Sequence, residues 1–183
     1  MQTNKPIEIN GQAIANGKFP LICTPLVGRT LDMLMAELDV VLPKKPDVIE
    51  WRVDFFDRIG STALVIAAAN AIKTRAVNIP LLFTRRSTME GGENIAMTES
   101  QVIAMYVAVC ESKCIDLIDY EMANDAANIA QVRTVAKANG ITLVLSFHNF
   151  SYTPGAETLV AKFLTAEQLG AEVVHRCAEG LSI

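Results

Sequence analysis

The sequence predicts an α/β fold in which parallel strands alternate with helices, and three observations lead to that prediction. Short apolar runs are separated by longer stretches with the residue spacing of amphipathic helices. The run Ile141–Phe147 is apolar almost throughout, which is typical of a parallel strand covered on both faces. Polar and charged residues collect directly after the apolar runs, where α/β folds place their chemistry.

The chain opens with a predicted β-hairpin and the first β/α unit. Ile7–Ile14 has an Asn-Gly pair between apolar residues, which is typical of a two-residue hairpin turn. Leu21–Thr24 is predicted to be the first short strand of the main sheet. Thr30–Leu42 carries leucines at helical spacing, and Pro43 ends that helix because proline cannot continue it.

Two further strand–helix units follow. Val48–Val53 is a predicted strand, and the helix Ser61–Ala76 after it has Ser61 as its expected N-cap. Leu81–Thr84 is the next strand, entered from a proline. The helix Thr98–Cys110 begins with a threonine that has Gln101 three residues later, the spacing of a capping box.

The remaining predicted elements continue the same alternation. Ile115–Asp119 is a strand, and the helix Asn124–Ala138 after it is closed by an Asn-Gly pair. Ile141–Phe147 is the fifth strand of the main sheet. The helix Pro154–Leu169 ends at a glycine, and Glu172–Val174 begins a sixth strand.

Strands that are each followed by a helix imply parallel β/α units with right-handed crossovers. No strand is followed by a G-x-G-x-x-G or P-loop pattern, so a nucleotide-binding sheet has no support and a (β/α) barrel remains. A closed barrel of eight units needs about 250 residues, and this chain of 183 residues holds about five and a half units. We therefore expect one domain, residues 1–183, with an open sheet or an incomplete barrel.

The composition excludes several classes of function. A net charge of −4 without a Lys/Arg cluster argues against a nucleic-acid or anionic-membrane partner. No apolar run approaches the roughly 18 residues of a membrane span, and the first residues lack an apolar signal core. We expect a cytoplasmic protein whose four cysteines are reduced. Cys110 and Cys114 are four residues apart, but the chain has two histidines, and we expect no metal site.

Charged residues at the ends of the second and third strands are the first part of a candidate site. Glu50 and Arg52 lie two residues apart in a strand, so they share a face and can form a charged pair at the rim. Arg86 and Glu90 lie in the loop after the third strand, where a weak surface pair is the alternative interpretation.

His148 ends the fifth strand and completes the candidate site. A hydrogen-bonded structural histidine is the alternative to a functional one. Beside a carboxylate such as Glu90, His148 would be a general base. In a barrel the carboxyl ends of the strands surround one opening, the mouth, and arginines there suit a substrate with carboxylate or hydroxyl oxygens. The residues therefore favour proton abstraction from an oxygen-rich anion.

Three motifs, in order and in spacing, resemble type I 3-dehydroquinate dehydratase, an enzyme family of the shikimate pathway. The motifs are Glu50–Asp54, then Pro80–Thr84 with Arg86-Ser87 and Glu90–Gly92, then Ser146, His148 and Phe150 with Thr153-Pro154. The resemblance runs from about Pro20 to Val174 and implies a (β/α)8 TIM barrel whose N-terminal end is closed by a hairpin, in proteins that are often homodimers.

The resemblance also implies a cofactor-free syn dehydration of 3-dehydroquinate to 3-dehydroshikimate. In the family, a lysine forms an imine with the C3 ketone, and the imine acidifies the C2 proton. A histidine removes that proton and then assists loss of the C1 hydroxyl as water. By resemblance, His148 is this acid/base and Glu90 is the carboxylate that orients it. The residues that resemble substrate-binding positions are Glu50, Arg52 and Arg86, and those that match acidic positions without an assigned role are Asp119 and Glu121.

The chain departs from the family at several positions. His175 holds the position of the imine lysine, 27 residues after His148, and an imidazole cannot form a persistent imine. The family's last barrel units lie beyond the resemblance, Pro25 stands where many relatives have a serine, and Arg85 replaces a phenylalanine. One hypothesis is a frameshift after Val174. We expect a truncated family member without a Schiff-base lysine, inactive by itself and prone to aggregation through unpaired edge strands.

Two other functions stay open at this point. The chain can be a non-catalytic binder that keeps the charged rim and holds a related cyclic hydroxy acid. It can also be a metal-dependent barrel lyase in which Glu50, Asp119 and Glu121 supply oxygen ligands to a divalent cation.

Overall fold

The fold is a parallel sheet with helices along its outer face. The computed structural model describes residues 7–9, 12–15, 21–171 and 173–178, with the backbone alone for 7–9, 12–15 and 175–178. The described strands are β1 Ile7–Ile9, β2 Gln12–Ala15, β3 Cys23–Leu26, β4 Val48–Arg52, β5 Leu81–Thr84, β6 Leu117–Glu121, β7 Thr142–Asn149 and β8 Val173–Ala178. The described α-helices are α1 Leu31–Val41, α2 Thr62–Ala76, α3 Glu99–Ser112, α4 Ala126–Ala138 and α5 Ala156–Gln168. Three short 3₁₀ helices are Leu42–Lys44, Val53–Phe55 and Thr88–Glu90.

The strands β3 to β8 pair in chain order, and every neighbouring pair is parallel. This topology confirms the predicted α/β class. Within the described residues β3 and β8 are the outer strands and do not pair with each other, so the sheet is an incomplete barrel. The strands β1 and β2 form a separate antiparallel pair, which confirms the predicted hairpin.

The two faces of the sheet carry different side chains because neighbouring strand residues point in opposite directions. On the outer face, buried residues such as Ile49, Trp51 and Phe83 join the apolar sides of the helices in the main core. On the inner face, a small apolar layer is followed by polar residues nearer the carboxyl ends of the strands. That layer consists of Val48, Leu82, Leu117 and Val144, with Val173 packed against it.

An aromatic row runs across the outer face and links three strands to the helix α3. Its rings meet edge to face at centroid distances of 5.5–5.6 Å, a geometry that aromatic quadrupoles favour. The row consists of Phe56, Trp51, Phe83, Tyr106 and Tyr120. The Tyr106 hydroxyl donates to the Asp119 carbonyl oxygen at 2.9 Å and accepts the Arg85 N–H at 3.1 Å. The row therefore fixes the backbone just below the ends of β5 and β6.

Most predicted elements are confirmed, and two strands are displaced by two residues. The predicted strands Leu21–Thr24 and Ile115–Asp119 begin two residues later, as β3 and β6. In the first case the Ile22 N–H donates to the Asp47 carboxylate at 2.8 Å, so this donor does not pair with a neighbouring strand. In the second, the Asp116 carboxylate accepts the Leu81 N–H at 2.9 Å and an ammonium hydrogen of Lys73 at 2.8 Å.

Helix starts depend on capping, and the sequence predicts the position of two of these three N-caps correctly. The capping box of Thr98 and Gln101 is present at the start of α3. Ser61 lies at the N-cap of α2, but within the described residues its side chain makes no capping hydrogen bond. The predicted helix start at Asn124 is wrong by one position, because the Asp125 carboxylate accepts the Ala127 N–H and makes Asp125 the N-cap. None of the helices in the described ranges is long and apolar enough to cross a membrane.

The aromatic row gives a test of the core. Replacing the fully buried Phe83 by alanine removes two edge-to-face contacts and leaves a cavity, so we expect Phe83→Ala to lower the free energy of unfolding by about 3–5 kcal/mol. Tyr152→Ala is the matched control, since Tyr152 is exposed and we expect a change within about 0.5 kcal/mol. Urea denaturation followed by circular dichroism measures both. Equal losses in the two variants would contradict this assignment of the core.

Candidate functional site

The guanidinium group of Arg86 lies at the centre of the inner polar face. Its Nη1 donates to the Ser146 hydroxyl at 2.6 Å, and its Nη2 lies 3.0 Å from an Asp119 carboxylate oxygen. Glu121 and Glu90 follow at 3.4 Å and 3.7 Å. The side chain is 2% exposed, so the alternative of a surface loop pair is wrong. Residues from β6, β7 and the loop after β5 thus converge on one buried cation.

Burial and charge compete at this centre. Burial on its own lowers the pKa of Arg86, but Asp119, Glu121 and Glu50 outweigh that effect, so the pKa is raised overall. Burial raises the pKa of Asp119 to about 6, although Arg86 and the hydrogen bond from Ser146 partly oppose the shift. The site therefore holds a permanent cation beside a carboxyl group that titrates in a mildly acidic range.

Three buried polar atoms around Arg86 have no hydrogen-bond partner among the described residues. They are the Thr84 hydroxyl, the Ser87 hydroxyl and Oδ2 of Asp119. Buried polar groups in native proteins are nearly always satisfied by protein, water or ligand. All three atoms are closed to solvent, so they are unsatisfied hydrogen-bonding groups inside the inner polar face and not groups that a ligand contacts in this arrangement.

The Glu90–His148 pair is the second component of the site. His148 Nδ1 lies 2.8 Å from Glu90 Oε2, and the His148 backbone N–H donates to the same oxygen at 3.1 Å. Because Nδ1–H donates to the carboxylate, the neutral imidazole has its acceptor lone pair on Nε2. The Phe150 ring stacks on the imidazole at 6.2 Å between centroids and 18° between planes. This arrangement fixes the ring and suits it to accept a proton at Nε2.

Two glycines allow the loop after β5 to bring Glu90 to this position. Gly91 has a φ of 82°, and an added Cβ would lie 2.7 Å from the Phe150 ring. At Gly92 an added Cβ would lie 2.0 Å from the Arg86 carbonyl oxygen. The sequence predicts an unusual backbone at this Gly-Gly pair. The structure shows why each position needs glycine: a positive φ at Gly91 and a close backbone approach at Gly92.

The predicted pair between Glu50 and Arg52 does not form among the described residues. Arg52 instead makes a bidentate pair with Asp54, with Nε and Nη2 at 2.9 Å and 2.7 Å from the two carboxylate oxygens. The cause is the 3₁₀ helix Val53–Phe55, which turns the chain at the end of β4 and brings Asp54 back to Arg52. Arg52 also lies over the Phe55 ring, 5.1 Å from its centroid. Glu50 acts on the site through its charge, which raises the pKa of Asp119.

Asp54 is a site residue that the sequence indicates only as part of the motif Glu50–Asp54. Its carboxylate is buried and accepts four hydrogen bonds. The polar run at the end of β4 is an available signal, because a carboxylate two residues after a strand-end arginine can turn back to it. The rule that alternate strand residues share a face does not predict such a pair, because it holds only within the strand and Asp54 lies beyond the end of β4.

The strand β8 places its residues in register beside the site. The backbone pairs His175 with Ser146 and Cys177 with His148. Ser146 contacts both Arg86 and Asp119, so position 175 lies at the level of the central cation along the sheet.

The described residues contain no group of three metal-ligating side chains arranged to hold an ion. Two of the carboxylates expected to bind a metal in a metal-dependent lyase, Asp119 and Glu121, are already paired with the Arg86 guanidinium, which takes the place of a bound cation. Cys110 and Cys114 are buried free thiols. The metal-lyase interpretation therefore finds no support in this part of the chain.

The pKa of Asp119 predicts a pH dependence of stability. A carboxyl group that titrates near 6 in the folded state and near 3.8 in its ordinary state holds its proton more tightly when the chain is folded. Its contribution to stability is therefore fully present below about pH 4 and is lost as the pH rises through about 6. We expect the free energy of unfolding of the natural chain, relative to Asp119→Asn, to fall by on the order of 2 kcal/mol over this range. Urea denaturation at pH 4, 5, 6 and 7 measures the difference, and a difference that rises with pH would refute the assignment.

The close approach at Gly92 predicts a sharp effect of one methyl group. Gly92→Ala must displace the loop because the methyl group meets backbone atoms of Arg86, and we expect a loss of about 1–3 kcal/mol in unfolding free energy. Gly60→Ala is the matched control, since a Cβ there meets no atom within 4 Å. Thermal or urea unfolding of both variants provides the measurement. A Gly92→Ala variant as stable as its control would show that the loop is not held against Arg86.

Comparisons with known proteins agree with the fold. The model of the type I 3-dehydroquinase family matches residues 22–177. A 3-dehydroquinate dehydratase of Albidiferax ferrireducens is 72% identical over 173 residues, which cover 94% of this chain and 66% of that protein. One from Aromatoleum aromaticum is 41% identical over an equal span and coverage. This chain spans about two thirds of the length of these relatives.

Solved structures give the same result. A crystal structure of 3-dehydroquinate dehydratase from Geobacillus kaustophilus has a TM-score of 0.90 at 40% identity and covers 95% of this chain and 67% of that chain. The type I enzyme from Clostridium difficile, solved with covalently modified comenic acid, has a TM-score of 0.91 at 27% identity, covering 96% and 69%. The matched sequence, the parallel sheet and the relatives together lead to one conclusion: this chain belongs to the type I 3-dehydroquinase family.

Proposed function

We propose that this chain binds 3-dehydroquinate and keeps the acid–base pair that serves the dehydration to 3-dehydroshikimate, without the lysine that forms the imine. The observation that carries the proposal is the 2.8 Å contact between His148 Nδ1 and Glu90, which holds an imidazole at the carboxyl end of β7. The name of the 72% identical relative, 3-dehydroquinate dehydratase, supports the choice of substrate. In this proposal His148 and Glu90 are the catalytic pair.

In the complete reaction, the histidine at the position of His148 removes the C2 proton of the substrate and then protonates the departing C1 hydroxyl. The proton moves first to Nε2 and then to the leaving oxygen, so the imidazole returns to its starting state and no cofactor is consumed. Glu90 stabilises the imidazolium between the two transfers, because its carboxylate already accepts the Nδ1 hydrogen. The buried position of Glu90 strengthens this interaction.

Glu50, Arg52 and Arg86 hold the hydroxyl groups and the neighbouring charge of the substrate. The Arg52 side chain is 19% exposed, so it can reach a ligand at the mouth while Asp54 holds its guanidinium. Arg86 is more deeply buried and acts mainly through its charge, which attracts the oxygens that develop negative charge.

The electron sink of this reaction is an imine on a lysine, and this chain has His175 at the corresponding position. An imidazole forms no persistent imine with a ketone, so we propose that the chain by itself binds the substrate and does not complete the dehydration. A non-catalytic binder of a related cyclic hydroxy acid is the second candidate, and the His175 substitution favours it. Location in the cytoplasm is a further part of the proposal.

Borohydride trapping tests the missing imine. We expect no reduced adduct when the natural chain is incubated with 3-dehydroquinate and borohydride. For His175→Lys we expect a mass increase equal to the bound ketone less one oxygen atom, because imine formation releases water and borohydride adds two hydrogens. Arg176→Lys is the matched control, since it adds a lysine at the neighbouring position. Intact-mass spectrometry provides the readout, with the Albidiferax ferrireducens relative as positive control. An adduct on the natural chain would overturn the proposal that it lacks the imine amine.

Ligand binding tests the proposed substrate separately. We expect 3-dehydroquinate to raise the melting temperature of the natural chain and to do so less for His148→Ala, because a ligand that binds only the folded state stabilises it. If saturating 3-dehydroquinate leaves the melting temperature unchanged while a different cyclic hydroxy acid raises it, the binder interpretation replaces the proposed substrate.

A further inference from the structure

Asp54 lies behind the mouth and accepts hydrogen bonds from two directions. Its side chain is fully buried, in the 3₁₀ helix that follows β4. Oδ1 accepts from Arg52 Nε at 2.9 Å and from the Arg86 backbone N–H at 3.3 Å. Oδ2 accepts from Arg52 Nη2 at 2.7 Å and from the Glu93 backbone N–H at 3.1 Å. Each carboxylate oxygen thus takes one guanidinium hydrogen and one backbone hydrogen.

The two backbone donors are the two ends of a single loop, residues 86–93. Inside the loop, the N–H groups of Glu90 and Gly92 both donate to the Ser87 carbonyl oxygen, at 3.0 Å and 2.7 Å. The loop carries Glu90, whose carboxylate contacts His148. The Asp54 carboxylate therefore joins the two ends of the loop that carries Glu90, the hydrogen-bond partner of His148.

We propose that Asp54 is a positioning residue that couples the Arg52 guanidinium to the Glu90–His148 pair. It sets the direction of Arg52 and, through both ends of the loop, the position of Glu90. Its effect on the ligand rests on the proposed binding of 3-dehydroquinate, whereas its effect on His148 follows from the geometry of the chain alone.

The chemistry of a buried carboxylate explains why this role is hard to replace. Asparagine has nearly the same shape but offers one acceptor oxygen and turns an NH₂ group toward donors. Two of the four donors then lose their acceptor in a buried place, where an unmade hydrogen bond to a charged group is costly. We expect the guanidinium to turn away and the loop ends to separate, without a change in the sheet or in the apolar core.

The test compares Asp54→Asn with Asp57→Asn, three residues along the chain. Asp57 pairs with Arg29 at the surface, where both side chains are about half exposed, so its charge is lost without a buried consequence. Isothermal titration with 3-dehydroquinate gives the dissociation constant, and NMR of the imidazole carbon-bound protons gives the environment of His148 in the ligand-free protein. A His175→Gln variant assigns the two histidine signals.

We expect Asp54→Asn to weaken ligand binding at least about tenfold and to move the His148 signals. For Asp57→Asn we expect the dissociation constant to change by no more than about twofold and the His148 signals to stay where they are. Unmoved His148 signals together with unchanged affinity would overturn the positioning role. Moved His148 signals in a protein whose natural form does not bind 3-dehydroquinate would support the positioning role and refute the proposed substrate.

A measurement on the natural chain covers the case in which Asp54→Asn does not fold. Amide hydrogen exchange of Arg86 and Glu93 is expected to be at least about tenfold slower than that of the exposed Met89 in the same loop, because both amides donate to a buried carboxylate. Exchange of both amides at the rate of Met89 would mean that Asp54 does not close the loop.

Discussion

A single buried guanidinium group holds the inner face of this sheet together. Arg86 comes from the loop after β5, and its partners come from β6, β7 and the same loop. Without its charge, the carboxylates of Asp119, Glu121 and Glu90 would repel one another in a place of low dielectric constant, and one or more would have to be protonated. These three buried carboxylates can therefore be ionised together only because Arg86 serves as their common counterion.

The apolar half of the molecule provides the rigidity that these charged groups need. The aromatic row fixes the strands on their outer side, and Tyr106 connects that row to the Asp119 carbonyl and the Arg85 amide. The backbone on either side of the Arg86–Asp119 pair is thus held from behind. Charged side chains with many rotamers then need little further ordering when they meet a ligand.

The sequence predicts much of this arrangement because strand alternation and helix capping are local rules. β5 has the predicted bounds, the Thr98–Gln101 capping box is present, and the proximity of Glu90 and His148 follows from their placement at the ends of parallel strands. The partner of Arg52 could not be predicted from strand alternation, because a 3₁₀ turn redirects the chain after the strand. The late start of β3 depends on an aspartate 25 residues away, which local patterns do not contain.

The balance of charge at the mouth has a kinetic consequence. Five carboxylates and two guanidinium groups line or support the described part of the mouth: Glu50, Asp54, Glu90, Asp119 and Glu121 against Arg52 and Arg86. An anionic ligand therefore approaches against a repulsive field and gains its favourable contacts only at short range. Dissolved salt shortens the reach of that field, so encounter becomes faster as ionic strength rises, which is the reverse of the usual behaviour of electrostatically steered association.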